Sequence, residues 1–123
     1  MEIRKMQKEI YECAIRHGWW DIPIYPGESP QEAIYAQIPE KIALCHSELS
    51  EALECYRNGS IRGVSFVNET VHGKPEGFAI ELADAIIRIL DLSEAVGLDI
   101  QSAMEIKMKY NETRTYRHGG KRA

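Results

Sequence analysis

Two pairs of carboxylates carry the clearest chemical potential in this sequence. Glu48 is followed three positions later by Glu51, and Glu81 is followed three positions later by Asp84. Side chains three positions apart on a helix project from one face, with Cβ atoms roughly 5–6 Å apart. Two such pairs on facing helices would therefore form a cluster of four anions, whose pKa values would rise unless a cation lay between them. Carboxylate oxygens are the ligands that Mg²⁺ or Mn²⁺ prefers, and the alternative for each pair is a solvated helix face.

The segment that contains the second pair is mostly apolar. Within residues 78–92 the only residues that are not apolar are Glu81, Asp84, Arg88 and Asp91. Their spacing places these four on one narrow stripe of a helix, whereas a surface helix usually has a broader polar face. This pattern indicates a central helix or an oligomer interface, in which charged groups must be paired or must coordinate something.

A basic helix face follows near the end of the chain. Lys107, Asn111 and Arg114 are spaced so that they share one face, and residues 107–123 contain six basic side chains and one acidic side chain. An ammonium, an amide and a guanidinium on one face suit a polyphosphate, and a carboxylate–metal cluster beside them suits phosphoryl chemistry. The alternative is an exposed helix that balances residues 1–106, which contain nine basic and eighteen acidic side chains.

Helices are required to position these residues, and the hydrophobic pattern predicts an all-α bundle of about four main helices in a single domain, residues 1–123. The main helices are predicted over residues 2–16, 39–57, 75–96 and 100–115. A short extra helix should begin at the capping box that starts with Ser29. The connection 59–77 is rich in β-branched residues and is predicted to be irregular or to contain a short strand pair.

Composition narrows the class of protein. The chain has 123 residues, is 44% hydrophobic and has a net charge of −4, which fits a folded domain rather than a disordered one. A general nucleic-acid binder would be basic, and no apolar stretch reaches the roughly 18 residues of a membrane helix. With no secretory signal and three cysteines that form no Cys-x-x-Cys motif, we expect a cytoplasmic protein with no nucleic-acid or membrane partner.

The motifs and their flanks resemble one known family. Residues 48–51 and 81–84 resemble the Glu-x-x-Glu and Glu-x-x-Asp metal motifs of the MazG-like, all-α nucleoside triphosphate pyrophosphohydrolases. Residues 73–78 lead into the second motif as in that family, and residues 107–121 resemble the tail of its small single-domain members. The similarity spans roughly residues 39–121.

The resemblance implies a fold, a reaction and an assembly. The family fold is a helical bundle that works as a homodimer or homotetramer, with sites near subunit interfaces. Its reaction is Mg²⁺-dependent hydrolysis of a nucleoside or deoxynucleoside triphosphate to the monophosphate and pyrophosphate, in keeping with nucleotide-pool cleansing. The implied metal ligands are Glu48, Glu51, Glu81 and Asp84, and Glu48 is also the candidate catalytic residue that orients or deprotonates water.

The implied phosphate contacts are Lys107, Asn111 and Arg114, with Lys74 and Lys121 as further helpers. Trp20 is a candidate for stacking on the nucleobase, and the alternative for it is a packing role in the core. The competing function is a non-catalytic helical module that binds a nucleotide or a protein partner. A third possibility is a different carboxylate–metal bundle that holds iron.

Overall fold

The computed structural model describes residues 2–59, 68–69 and 73–116, and its fold is all-α, as predicted. The described residues contain five helices and two strands of two residues each. The helices are α1 (Ile3–Arg16), α2 (Pro30–Ala36), α3 (Ile38–Arg57), α4 (Phe78–Ala95) and α5 (Ile100–Glu112). Lys121 lies outside the described residues.

The sequence signals at the helix ends account for most of these bounds. The Ser29 hydroxyl accepts a hydrogen bond from the Glu32 backbone N–H at 3.1 Å and begins α2, and Asp99 caps the start of α5 in the same way. Gly97, with φ at +77°, follows the end of α4. Because only glycine adopts this backbone conformation at little cost, it is a common residue after a helix.

The connection between α3 and α4 contains the short strand pair that its composition allows. Strand β1 (Asn68–Glu69) pairs antiparallel with β2 (Pro75–Glu76), with Asn68 opposite Glu76. This pairing explains why α4 begins at Phe78 rather than at the predicted residue 75. The two residues expected in its first turn belong to β2 instead.

Helix α4 is the centre of the described structure, because it packs against α3 and against α1. The α3 side of the first contact buries Cys45 and Ala52, and small residues of this kind let two helices approach closely. Against α1, the buried cluster consists of Ala14, Trp20 and Ala95. The main contact of α5 is with α1.

A buried glutamine fixes α1 to the end of α4. The Gln7 side-chain amide donates to Glu94 Oε1 at 2.8 Å and to the Leu98 carbonyl at 2.7 Å. Its carbonyl oxygen accepts from the Ile100 N–H at 3.4 Å. Gln7 is fully buried, and these partners satisfy it at the turn from α4 to α5, so it holds three helices in register.

None of the helices in the described part of the chain combines the length and the apolar character that a bilayer crossing requires.

Candidate metal centre

The contact between α3 and α4 brings three of the four predicted carboxylates together. Glu48, Glu51 and Glu81 each offer one carboxylate oxygen, and these oxygens lie within 4.8 Å of one another. Glu48 is buried, Glu81 is partly buried and Glu51 is exposed. The cluster therefore extends from the interior of the helix pair to solvent, and a small ligand can reach it from the side of Glu51.

Asp84 lies beside this group rather than within it. Burial raises the pKa of Asp84, and the negative charges of Glu48 and Glu51 raise it further, while the positive charges of Arg88 and Lys74 lower it. Asp84 is not one of the grouped oxygen donors, so its role as a fourth metal ligand stays a prediction.

Glu81 is the most perturbed group in the site. Its pKa is raised to about 7 by burial, by hydrogen bonding with Glu51 and by the negative charges of Glu51, Asp84 and Glu48. Its Oε2 atom is buried and has no hydrogen-bond partner in the described part of the chain. The neighbouring carboxylates offer only acceptors unless one of them is protonated. Either a shared proton or a bound cation would therefore give this oxygen the partner that it lacks.

The donor set fits a hard divalent cation. The grouped donors are all carboxylate oxygens, which suit Mg²⁺ or Mn²⁺, and the buried Glu81 Oε2 supplies an atom that needs a positive partner. Oxygens that share one Mg²⁺ are at most about 4.2 Å apart, since each bond is about 2.1 Å long. Adjacent oxygens of an octahedral Mg²⁺ are only about 3 Å apart, so the observed grouping within 4.8 Å would close by about 1–2 Å around an ion.

Arg88 also belongs to the site, although the sequence predicted only that a charged residue of this stripe must be paired or must coordinate something. Its Nε–H donates to Glu48 Oε1 at 2.7 Å, across the contact between α4 and α3. The signal was present in the sequence, because Arg88 follows Glu81 by seven positions and Asp84 by four, which places all three on one helix face. Its partner depends on how α3 packs, which the spacing on α4 does not reveal.

The predicted phosphate contacts fall into two groups. Lys74, just before β2, is close enough for its charge to act on Asp84. Lys107 and Asn111 are exposed on α5, whereas Arg114 is exposed two residues after this helix ends at Glu112. The main contact of α5 is with α1 rather than with α3 or α4. The main contact of α5 is therefore outside the pair of helices that holds the carboxylate cluster.

Trp20 occupies the core, which corresponds to the packing role that the sequence left open. It is 8% exposed, and its indole N–H donates to Asp91 Oδ1 at 2.8 Å. The Lys41 ammonium lies 4.4 Å from the ring centroid, and the Tyr11 ring lies 6.1 Å away. The neighbouring Trp19 is the exposed member of the pair.

Comparison with protein-family models, with curated proteins and with solved structures finds no match to this chain. The functional assignment accordingly depends on the geometry of the site and on the motifs of the sequence.

Proposed function

We propose that this protein is a Mg²⁺-dependent nucleoside triphosphate pyrophosphohydrolase, with Mn²⁺ as an alternative ion. The observation that carries the proposal is the grouping of Glu48, Glu51 and Glu81, together with a buried Glu81 Oε2 that has no hydrogen-bond partner among the described residues. A site of oxygen donors with unrelieved negative charge favours a hard cation. The resemblance of the two motifs to those of the MazG-like family supports the choice of reaction.

In this proposal the four carboxylates hold the ion, with Asp84 completing the set of three that the helix contact groups together. A bound Mg²⁺ would supply positive charge to the phosphate oxygens and stabilise the charge that develops as the anhydride bond breaks. Glu48 would also orient the attacking water and accept its proton. Arg88 limits how it does so, because one of the Glu48 oxygens already accepts the Arg88 hydrogen bond.

The proposed assembly is a homodimer or homotetramer. Several large apolar side chains of α4 and α5 are exposed in the single chain, and Ile106 of α5 is 72% exposed. No residue of α5 is buried, so α5 gains little from packing within its own chain. Association through such surfaces removes apolar area from water, and it gives the α5 cations a route to the carboxylates of a second copy.

The proposed substrate is a nucleoside or deoxynucleoside triphosphate, and the proposed role is nucleotide-pool cleansing in the cytoplasm. Lys107 and Asn111 of α5, with Arg114 just after this helix, would bind its phosphates, and Lys74 and Lys121 would be further contacts. Nucleic acid is not a proposed partner, because the cluster presents carboxylates where a nucleic-acid surface would present cations.

A panel of canonical and modified triphosphates tests the proposal directly. Each would be incubated with the full chain and Mg²⁺ or Mn²⁺, and pyrophosphate and monophosphate would be measured together by coupled assay and nucleotide chromatography. Pyrophosphate and monophosphate in equal amounts, dependent on the ion, support the proposal. No pyrophosphate from any member of the panel would refute it, and tight nucleotide binding without products or ion dependence would favour the non-catalytic binding module.

A further inference from the structure

Arg88 is a cation that is hydrogen-bonded to a carboxylate of the cluster. It lies on α4 one turn after Asp84 and on the same face as Glu81, and its Nε–H donates to Glu48 Oε1 at 2.7 Å. Glu48 is almost enclosed, with its side chain 10% exposed, whereas the Arg88 side chain is 39% exposed. The two ends of this ion pair therefore face different surroundings, one the helix contact and the other solvent.

Most of the hydrogen-bonding capacity of Arg88 is not used by the described residues. A guanidinium has five N–H donors in a rigid planar fork. Glu48 takes one of them, at Nε, and the described residues provide no acceptor for the four on Nη1 and Nη2. Because the Arg88 side chain is 39% exposed, an anion that arrives from solvent can reach it.

The surroundings indicate what the free donors can bind. The carboxylates beside Arg88 are placed to hold a divalent cation, and a ligand that comes with such a cation is itself anionic and rich in oxygen. Phosphate oxygens match the fork in geometry and charge. The main packing contact of α5 is with α1, whereas Arg88 is hydrogen-bonded directly to a carboxylate of the cluster.

We infer that Arg88 is a phosphate-binding residue of this site, in which Nε holds Glu48 while the terminal N–H groups bind oxygens of a phosphate or pyrophosphate group. This inference rests on the proposed function and names a substrate contact that it does not include. Arg88 would then contact both a metal-binding carboxylate, Glu48, and the phosphate group that accompanies the cation.

Two calorimetric titrations separate this role from a merely structural one. Wild type, Arg88→Gln and Arg88→Lys would each be titrated with Mn²⁺ alone, and then with pyrophosphate in the presence and absence of Mn²⁺. Arg57→Gln is the matched control, because Arg57 also pairs with a glutamate of α3, Glu54, at 3.1 Å but on an exposed surface. All titrations use the full chain, and circular dichroism checks the fold of each variant.

We expect Arg88→Gln to bind pyrophosphate about 10- to 100-fold more weakly than wild type, as for the loss of charge-assisted hydrogen bonds. Its Mn²⁺ affinity should be unchanged or higher, because the variant lacks a neighbouring positive charge that repels the ion. Arg88→Lys keeps the charge opposite Glu48 and preserves the fold, but it loses the fork, and we expect a smaller loss of about 3- to 10-fold. Arg57→Gln should match wild type in every titration.

Unchanged pyrophosphate affinity in both Arg88 variants overturns the inference. A loss of Mn²⁺ affinity that accounts for the whole loss of pyrophosphate affinity also overturns it, because Arg88 would then act only by positioning Glu48. If wild type binds no Mn²⁺, the metal part of the proposed function fails separately. Arg88-dependent binding of pyrophosphate without the ion would still support the inference, and its absence there would contradict it.

Discussion

The two halves of α4 hold the same kind of side chain in opposite circumstances. In the C-terminal half, Asp91 accepts a hydrogen bond from the Trp20 indole at 2.8 Å, and Glu94 accepts one from the Gln7 amide at 2.8 Å. In the N-terminal half, Glu81 is surrounded by other carboxylates, and its buried Oε2 has no partner among the described residues. In the C-terminal half, neutral hydrogen-bond donors partner the carboxylates, whereas in the N-terminal half Glu81 faces further carboxylates.

This difference separates carboxylates that belong to the fold from carboxylates that await a ligand. A buried carboxylate with a neutral donor is satisfied by the chain itself and helps to fix the packing of helices. A carboxylate held against others costs stability in the free protein, and that cost is typical of binding and catalytic sites. The two halves should therefore respond in opposite ways to substitution.

The largest difference is expected for Glu81→Gln. This variant removes one charge from the cluster and adds an amide donor beside Glu51. We expect turnover to fall by at least about 100-fold, while the free energy of unfolding without metal stays equal or rises by about 1 kcal/mol. Pyrophosphate release and urea denaturation in the presence of a chelator measure the two quantities.

The matched control is Glu54→Gln, which changes an exposed glutamate of α3 one turn after Glu51 and should leave both quantities nearly unchanged. Retained turnover in Glu81→Gln would move the metal site elsewhere. A clear loss of stability would place Glu81 with Glu94 as a residue of the fold and would remove the contrast between the two halves.

Gln7→Ala tests the other half of the helix. It removes the buried donor of Glu94 and of the Leu98 carbonyl, and leaves unsatisfied polar groups at the turn into α5. We expect the free energy of unfolding to fall by about 2–4 kcal/mol, with turnover per folded molecule unchanged. Gln31→Ala, on the exposed face of α2, is the control with little expected effect. A stable Gln7→Ala protein with impaired turnover would contradict the division of roles.

The pH dependence of stability gives a third, smaller contrast. Because the pKa of Glu81 is raised to about 7 from an ordinary value of 4.5, the folded protein binds a proton more tightly than the unfolded chain does. Stability without metal should therefore fall as pH rises from about 4.5 to 7 and level off above that, by about 1–2 kcal/mol after allowance for solvent screening. Burial also raises the pKa values of Asp84 and Asp91, which adds the same sign.

Urea denaturation at half-unit steps of pH with a chelator measures this decline. Glu81→Gln should remove much of it, and saturating Mg²⁺ should flatten it in wild type, because the ion replaces the proton as the positive partner of the cluster. A decline that persists unchanged in Glu81→Gln would assign the titration to another group.

Helix ends can be predicted from the sequence, whereas contacts between segments that are far apart in the chain cannot. The helix starts at Ser29 and Asp99 and the end before Gly97 follow from residues close in sequence, and the structure has them. The pairing of Arg88 with Glu48 depends on the register between two helices forty positions apart. The placement of α5 depends on which helix it contacts, and the start of α4 on a strand pair. None of these follows from helical periodicity.

Trp20 is the residue for which the sequence offered two roles, and its variant is the mildest test of the comparison. Trp20→Phe keeps an aromatic ring in the core but removes the indole N–H that Asp91 accepts and weakens the contact with the Lys41 ammonium. We expect the free energy of unfolding to fall by about 1–2 kcal/mol, with the Michaelis constant for the best triphosphate unchanged. Trp19→Phe, at the exposed neighbour, is the control for stability. An increase in the Michaelis constant without a loss of stability would return Trp20 to the substrate site, and it would mean that the C-terminal half of α4 also takes part in binding.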